Sequence, residues 1–436
     1  MVAKLNPAQQ EANRLLGSPA AHILLRGGSR SGKTFLLIRA LVIRAAKAPG
    51  TRHGIFRHRF NALKHSIIGD TFPKVMRLCF PDVPYNLNRT DWYVTLPNGS
   101  EILFHGLDSS DRTEKILGLE FATVYLNEAS QISYGARNML LTRLAQKSSL
   151  RVKEYIDANP PTTSHWLYSL FERHVEPKSG EPLPDPADYA TMQINPDSNR
   201  ANLSPEYLKQ LESLPEKERQ RFLFGNYQTA IEGALWTLDR IKREAAITDA
   251  NRAAVLARMR RIVVAVDPSG CSGPEDYRSD EIGISVCGVD VEGNGHVLAD
   301  LSCRAGPAGW AKIALDALDL WKGDRIVAEK NFGGAMVEST IRAARATAPV
   351  TLVTASRGKF ARAEPVAALY EQGKVTHHGR FPDLEDQLCQ FSMSGFEGAR
   401  SPDRADALVW ALTDLMLGPP PAAPARFAPT RFNLGR

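Results

Sequence analysis

The sequence predicts an α/β protein of two successive sheet domains, the first a doubly wound, mainly parallel sheet and the second a mixed sheet that opens as a meander. Three observations carry this. A glycine-rich stretch, Arg26 to Thr34, joins an apolar run (His22 to Leu25) to a helical one (Phe35 to Lys47). Two further strand-like runs, Phe121 to Leu126 and Arg151 to Ile156, end in Asn127-Glu128 and Asp157, and the unbroken apolar character of the first is what a parallel strand covered on both faces looks like. Beyond residue 250 the strand-then-acid pattern restarts at Asp267 and Glu329, in the order β-β-β-α-β-α-β. At 436 residues the chain exceeds one ordinary core, and the expected division is 1–165, 166–250, 251–418 and 419–436.

Hydrophobic residues make up 43% and charged residues 23%, the balance of a globular rather than a disordered chain. The net charge of +6 is compatible with a polyanionic partner without requiring one. Five scattered cysteines (Cys79, Cys271, Cys287, Cys303, Cys389) form no C-x-x-C pair, which argues against a disulfide framework or zinc site and for reduced, cytosolic thiols. The polar N-terminus lacks a signal-peptide pattern and no apolar run approaches about 18 residues, so a soluble, unexported protein is expected.

In the first domain, Gly27, Gly32, Lys33 and Thr34 fit the phosphate-cradling loop G-x-x-x-x-G-K-[ST] in its strand, loop, helix context. Backbone N–H groups of Gly27, Gly28, Ser29, Arg30, Ser31 and Gly32 and the new helix's positive end hold a polyphosphate. Lys33 reaches the β and γ phosphates and Thr34 ligates magnesium, so ATP with magnesium is the expected ligand. A short helix just upstream carries Gln9 and Gln10, and Gln10 is a candidate reader of the adenine edge. Gly54 to Arg57 reads as a strand, and Trp92 to Phe104 as a hairpin turning at Pro97-Asn98-Gly99. Glu128 closes a buried strand and is the candidate carboxylate for orienting the attacking water. Asn127 stands before it as a neutral amide, able to accept from metal-bound water but adding no charge. Asn159 is the candidate sensor of the γ-phosphate. Either Arg30 or Arg112 is a candidate arginine finger.

Residues 166–250 read as a small helical subdomain and linker, with a helical stretch at Pro205 to Phe224. The strand Arg261 to Val266 then opens the second domain, whose element order is the ribonuclease H-like arrangement. Asp267 and Glu329 end strands expected to be neighbours. Ser401 and Pro402 start a helix as cap and first residue, placing Asp403 and Asp406 on one face. Asp406 precedes a nearly all-apolar helix, where a lone carboxylate would be costly. These four acids suit two magnesium or manganese ions, which makes them candidate catalytic and metal-binding residues of a nuclease; which of Asp403 and Asp406 is the main ligand stays open. Lys359 and Arg362 are candidate contacts to a DNA backbone, and His377 and His378 candidate helpers. Residues 419–436 are Pro/Ala/Arg-rich and not expected to pack.

With both halves in place, the chain resembles the large terminase subunit of tailed bacteriophages from Leu5 to about Leu417. The resemblance rests on the loop Gly27 to Thr34, the strand Phe121 to Glu128, Asp157-Ala158-Asn159-Pro160, Asp267-Pro268-Ser269-Gly270, Ala328 to Gly334, Arg362 to Val366, Leu384-Glu385-Asp386-Gln387 and Ser401 to Leu408. It implies a P-loop ATPase domain followed by a ribonuclease H-like nuclease domain. It also implies ATP-driven translocation of double-stranded DNA through a procapsid portal, and metal-dependent cutting of the DNA. A ring of subunits, usually five, a small-subunit partner and transient docking on the portal in the host cytoplasm belong to the same implication, with no membrane partner. Asn127 departs from the family's usual acid. Two other readings are a repair or recombination ATPase-nuclease and a non-catalytic, ATP-gated DNA-binding scaffold.

Overall fold

Continuous apolar runs become the central strands of two sheets. The computed structural model describes residues 5–107, 116–228, 233–268, 281–330, 334–355, 358–392, 395–398 and 401–418. The first sheet contains β1 (His22–Arg26), β2 (Arg52–Arg57), β3 (Asn86–Asn88), β4 (Tyr93–Thr95), β5 (Glu101–Gly106), β6 (Thr123–Asn127), β7 (Lys153–Ala158) and β8 (Tyr189–Gln193), in the order β3-β4-β5-β2-β6-β7-β1-β8. From β5 to β8 every pairing is parallel, and only the β3-β4-β5 edge is antiparallel. Alternate residues of one strand feed opposite faces. Ile23, Ile55, Tyr125 and Tyr155 pack with the helix Lys33–Lys47 on one side, while Leu24, Phe56, Leu126 and Ile156 pack with Trp166 and Leu167 on the other. This is the doubly wound arrangement.

The second sheet orders β14 (Val350–Val353), β13 (Arg325–Glu329), β10 (Met259–Asp267), β11 (Gly283–Asp290), β12 (Gly295–Asp300), β15 (Val375–His378) and β9 (Lys242–Glu244). The meander β10-β11-β12 is antiparallel, and β13 joins β10 in parallel. One face is covered by the helix Pro307–Leu320; the helices Lys359–Glu371 and Asp403–Leu412 cover the other.

Residues 166–250 differ from the helical subdomain and linker expected of them, because they also supply an edge strand to each sheet. Tyr189–Gln193 pairs with β1 and Lys242–Glu244 with β15. Both are short, and β8 is only half-buried throughout, so neither carries a continuous apolar run. A charged strand such as Lys242–Glu244 is tolerated because it lies at an edge. The rear sheet draws its outermost strand from before residue 251. Cys79, Cys287, Cys303 and Cys389 are free thiols, and among the described residues no helix is long and apolar enough to cross a membrane.

Candidate functional site

The phosphate loop follows β1 and is bent by left-handed residues at Gly27 (φ 143°), Arg30 (φ 59°) and Gly32 (φ 92°). At Gly27 a Cβ would sit 2.0 Å from the Ile194 carbonyl oxygen, so both the conformation and the space demand glycine. Lys33 is buried, and its Nζ donates to the carbonyls of Gly27 (2.9 Å) and Gly28 (2.7 Å), to Ser31 Oγ (3.1 Å) and to Asn159 Oδ1 (3.4 Å). Burial pushes the Lys33 ammonium down to about 8, with Asp157 and Glu128 pulling the other way. The loop's own donors reach residues of the following subdomain: Gly28 N donates to Asn195 Oδ1 (3.0 Å) and Ser29 N to the Phe222 carbonyl (2.9 Å). Arg30 is exposed, and its carbonyl accepts from Asn199 Nδ2.

At the ends of β6 and β7, beside this loop, the polar residues converge on Asp157. Its carboxylate accepts from Thr34 Oγ1 (2.6 Å), Tyr125 OH (2.9 Å), Asn127 Nδ2 (3.0 Å) and the Glu128 backbone N–H (2.7 Å). Glu128 is left-handed (φ 51°), and its carboxylate accepts from Arg57 (2.6 Å) and Gln131 (3.3 Å). Burial raises the Glu128 carboxyl, opposed by Arg57. Neither Arg57 nor Asp157 was singled out from the sequence as a functional side chain. The signal for Asp157 was an acid inside an otherwise buried strand, and for Arg57 a cation at the end of the strand neighbouring β6. Of the two glutamines, Gln9 is buried, with its Nε2 about 3.1 Å from where a Gly32 Cβ would stand. Gln10 lies on the exposed face and donates to the Leu5 carbonyl, away from the loop. Arg112 lies outside the described residues.

The second group sits at the corresponding strand ends of the rear sheet. Asp267 and Glu329 stand one step past the last registered pair of β10 and β13, Val266 with Ala328. The helix Asp403–Leu412 presses its first turn onto β11 so closely that a Cβ at Gly283 would meet the Asp403 carbonyl at 1.9 Å. Its start is not the expected one: Pro402 occupies the cap position with no side-chain cap, and Ser401 Oγ instead accepts from Lys359 Nζ (3.0 Å). Asp267, Glu329, Asp403 and Asp406 are all buried. Burial, reinforced by Asp406, Asp403 and Glu329, drives the Asp267 carboxyl well above the usual range. Burial also raises Asp406, against the pull of Lys359 and Arg362.

Lys359 and Arg362, expected to face a nucleic-acid backbone, turn inward. Lys359 Nζ donates to Asp406 Oδ2 (2.6 Å), while Arg362 reaches Glu329 Oε2 (3.3 Å) and lies 4.7 Å over the Trp410 ring. Trp410 Nε1 also donates to Glu329 Oε2 (2.7 Å). Four acids at one buried edge attract cations from their own chain, which sequence alone does not reveal. His377 and His378 are buried in β15 rather than free to assist: His377 bonds Tyr370 OH and Glu385, and His378 bonds His296.

An oxygen-only donor set suits a hard divalent ion. Asn127 Oδ1 and Asp267 Oδ1 are buried acceptors without a hydrogen-bond partner among the described residues, which fits a cation or its water at each site. Among the described residues, no three or more His, Cys, Asp or Glu side chains are gathered as a ready metal-holding group. The rear acids thus have the donor chemistry of an ion site but not its gathered arrangement, and Lys359 and Arg362 bond to Asp406 and Glu329.

The family model described as terminase large subunit, T4likevirus-type, N-terminal, matches residues 24–243, and that of the terminase RNaseH-like domain matches residues 264–415. A large terminase from a thermophilic bacteriophage is similar over 95% of this chain and 99% of its own, at 12% identity and a TM-score of 0.46. The HK97 bacteriophage large terminase is similar over 94% of this chain and 95% of its own, at 10% identity and 0.42. The ATPase domain of the Thermus phage P74-26 large terminase covers 52% of this chain and 94% of its own, at 19% identity and 0.38. No curated protein matches by sequence. The two family models lie in the order of the two sheets, and the first alone spans half of the residues, so the chain belongs to the phage terminase large subunits, the family that joins an ATPase domain to an RNaseH-like nuclease domain.

Proposed function

We propose that the protein is the motor and nuclease subunit that uses ATP to drive double-stranded DNA into a procapsid and then cuts it. The observation that carries the reading is the joining, on one chain, of a phosphate loop after an inner strand of a mainly parallel sheet to four buried acids of the second domain, Asp267 and Glu329 at strand ends and Asp403 and Asp406 in the first turns of the helix Asp403–Leu412. ATP lays its phosphates along the loop, where Lys33 exchanges the Gly27 and Gly28 carbonyls for phosphate oxygens. Glu128, released by Arg57, orients the attacking water and accepts its proton. Asn159, already within reach of Lys33, registers the γ-phosphate. The segment after it touches the second domain, since its Thr162 and Ser164 donate to Asp386. Arg57 joins Arg30 and Arg112 as a candidate for the arginine that stabilises the transferring phosphoryl group.

Thr34 would hold the magnesium that accompanies ATP, and Asp267, Glu329, Asp403 and Asp406 would hold two magnesium or manganese ions. Bound there, such ions acidify a water and neutralise charge building on the phosphodiester. Lys359 and Arg362 then leave the acids and face the DNA backbone. A subunit ring, a small-subunit partner and docking on the portal in the host cytoplasm complete the reading. Asp267→Ala is expected to abolish plasmid cleavage in manganese while ATP hydrolysis continues, and Glu128→Ala to retain nucleotide binding but stop turnover. Loss of both activities in either variant would argue against separate sites.

A further inference from the structure

ATP-bound magnesium in phosphate-loop enzymes is served by the loop's hydroxyl and by an acid at the end of a neighbouring strand. Here the strand-end residue before Glu128 is the amide Asn127, which brings no charge. The sheet order offers a substitute. Strand β7 lies between β6 and β1, and Asp157 on it is level with Leu25, two residues before the loop. It therefore stands between Asn127 on one side and the start of the phosphate-loop helix on the other.

The hydrogen bonds give Asp157 a directional task. A hydroxyl has one hydrogen and two lone pairs, so Thr34 Oγ1, by donating to Asp157 (2.6 Å), turns its lone pairs away from β7. Asn127 donates its Nδ2 to the same carboxylate (3.0 Å), which leaves Oδ1 buried and without a partner among the described residues. Tyr125 OH and the Glu128 N–H fix the carboxylate from behind and tie it to the residue proposed to activate water. We infer that Asp157 supplies the carboxylate that Asn127 lacks, acting as the positioning residue that holds the Thr34 hydroxyl and the Asn127 amide oxygen toward ATP-bound magnesium. This rests on the ATPase reading above and deepens it, since it moves the acid one strand over in the sheet.

The test is ADP affinity of the full chain, by calorimetry, with magnesium and with EDTA. In the parent protein magnesium is expected to tighten ADP binding. Outer partners of metal ligands typically contribute about 10- to 100-fold in metal affinity, so Asp157→Asn is expected to lose at least about tenfold of the magnesium-dependent tightening. Its ADP affinity in EDTA is expected to stay within about twofold of the parent, because Lys33 and the loop still hold the phosphates. The exchange Asn127→Asp with Asp157→Asn restores one acid at the same pair of positions and is expected to recover much of the tightening. Full magnesium enhancement in Asp157→Asn would overturn the inference, as would an equal loss with and without magnesium, which marks a purely structural role. An ADP affinity in the parent that Lys33→Ala leaves unchanged would instead sink the ATPase reading itself.

Discussion

Glu154 offers a quantitative test of how the site-bearing strand is braced. It sits three residues before Asp157 on β7, fully buried, and its carboxylate accepts from Arg137 Nε (2.9 Å), Arg137 Nη2 (2.7 Å) and His22 (2.7 Å). Arg137 belongs to the helix Tyr134–Leu141 that follows Glu128, so the pair ties that helix to β7. Although burial opposes ionisation, Arg137 and His22 hold the Glu154 carboxyl down at about 2, below its ordinary 4.5. A depression of that size corresponds to about 3 kcal/mol of stability at neutral pH. Because the folded-state value lies below the unfolded one, the contribution is complete above about pH 4.5 and disappears as the pH falls toward 2. Glu154→Gln keeps the shape but leaves Arg137 buried without a counter-charge, which typically costs about 3 to 5 kcal/mol. Urea unfolding at pH 7 followed by tryptophan fluorescence is expected to show a loss of about 3 kcal/mol or more, and the gap to the parent is expected to narrow below pH 4. Equal stability at pH 7, or a gap that opens only on acidification, would refute the reasoning.

Two further outcomes follow from hydrogen bonds at the two sites. Asn195 Oδ1 occupies the Gly28 N–H that the proposed function assigns to phosphate, and a neutral hydrogen bond is worth about 1 kcal/mol, so Asn195→Ala is expected to tighten binding of a fluorescent ATP analogue about fivefold. Weaker binding would mean that Asn195 shapes the loop rather than occupying it. Trp410→Phe keeps an aromatic ring under Arg362 but removes the donor to Glu329, and plasmid cleavage is expected to fall about tenfold with ATP hydrolysis unchanged. Cleavage at the parent rate would show that Glu329 needs no such anchor.

The elements legible in the sequence are those whose local pattern agrees with their tertiary role. The phosphate loop fixes β1 and its helix, and the apolar run before Glu128 can only be a covered strand. The strand Arg261 to Val266 and the acids at Asp267 and Glu329 similarly mark the start of the meander and its neighbour β13. Elements that depend on distant partners were hidden. Tyr189–Gln193 and Lys242–Glu244 are strands because β1 and β15 offer open edges, not because their residues alternate. Lys359 and Arg362 read as contacts to a DNA backbone until the buried acids opposite them are placed, and His377 reads as a helper until Glu385 and Tyr370 flank it. In Asp157-Ala158-Asn159 the sequence drew attention to the amide. Burial at the strand end instead put the acid against Thr34, with Asn159 beside Lys33.

The way the connecting segment lends a strand to each sheet has a practical consequence for dissecting the protein. A fragment stopped at residue 165 would strip β1 of a flanking strand, and one begun at 251 would bare the backbone of Val375–His378. Naked strand borders of this kind recruit other chains and promote clumping. Keeping Tyr189–Gln193 with the front piece and Lys242–Glu244 with the rear piece leaves both borders paired.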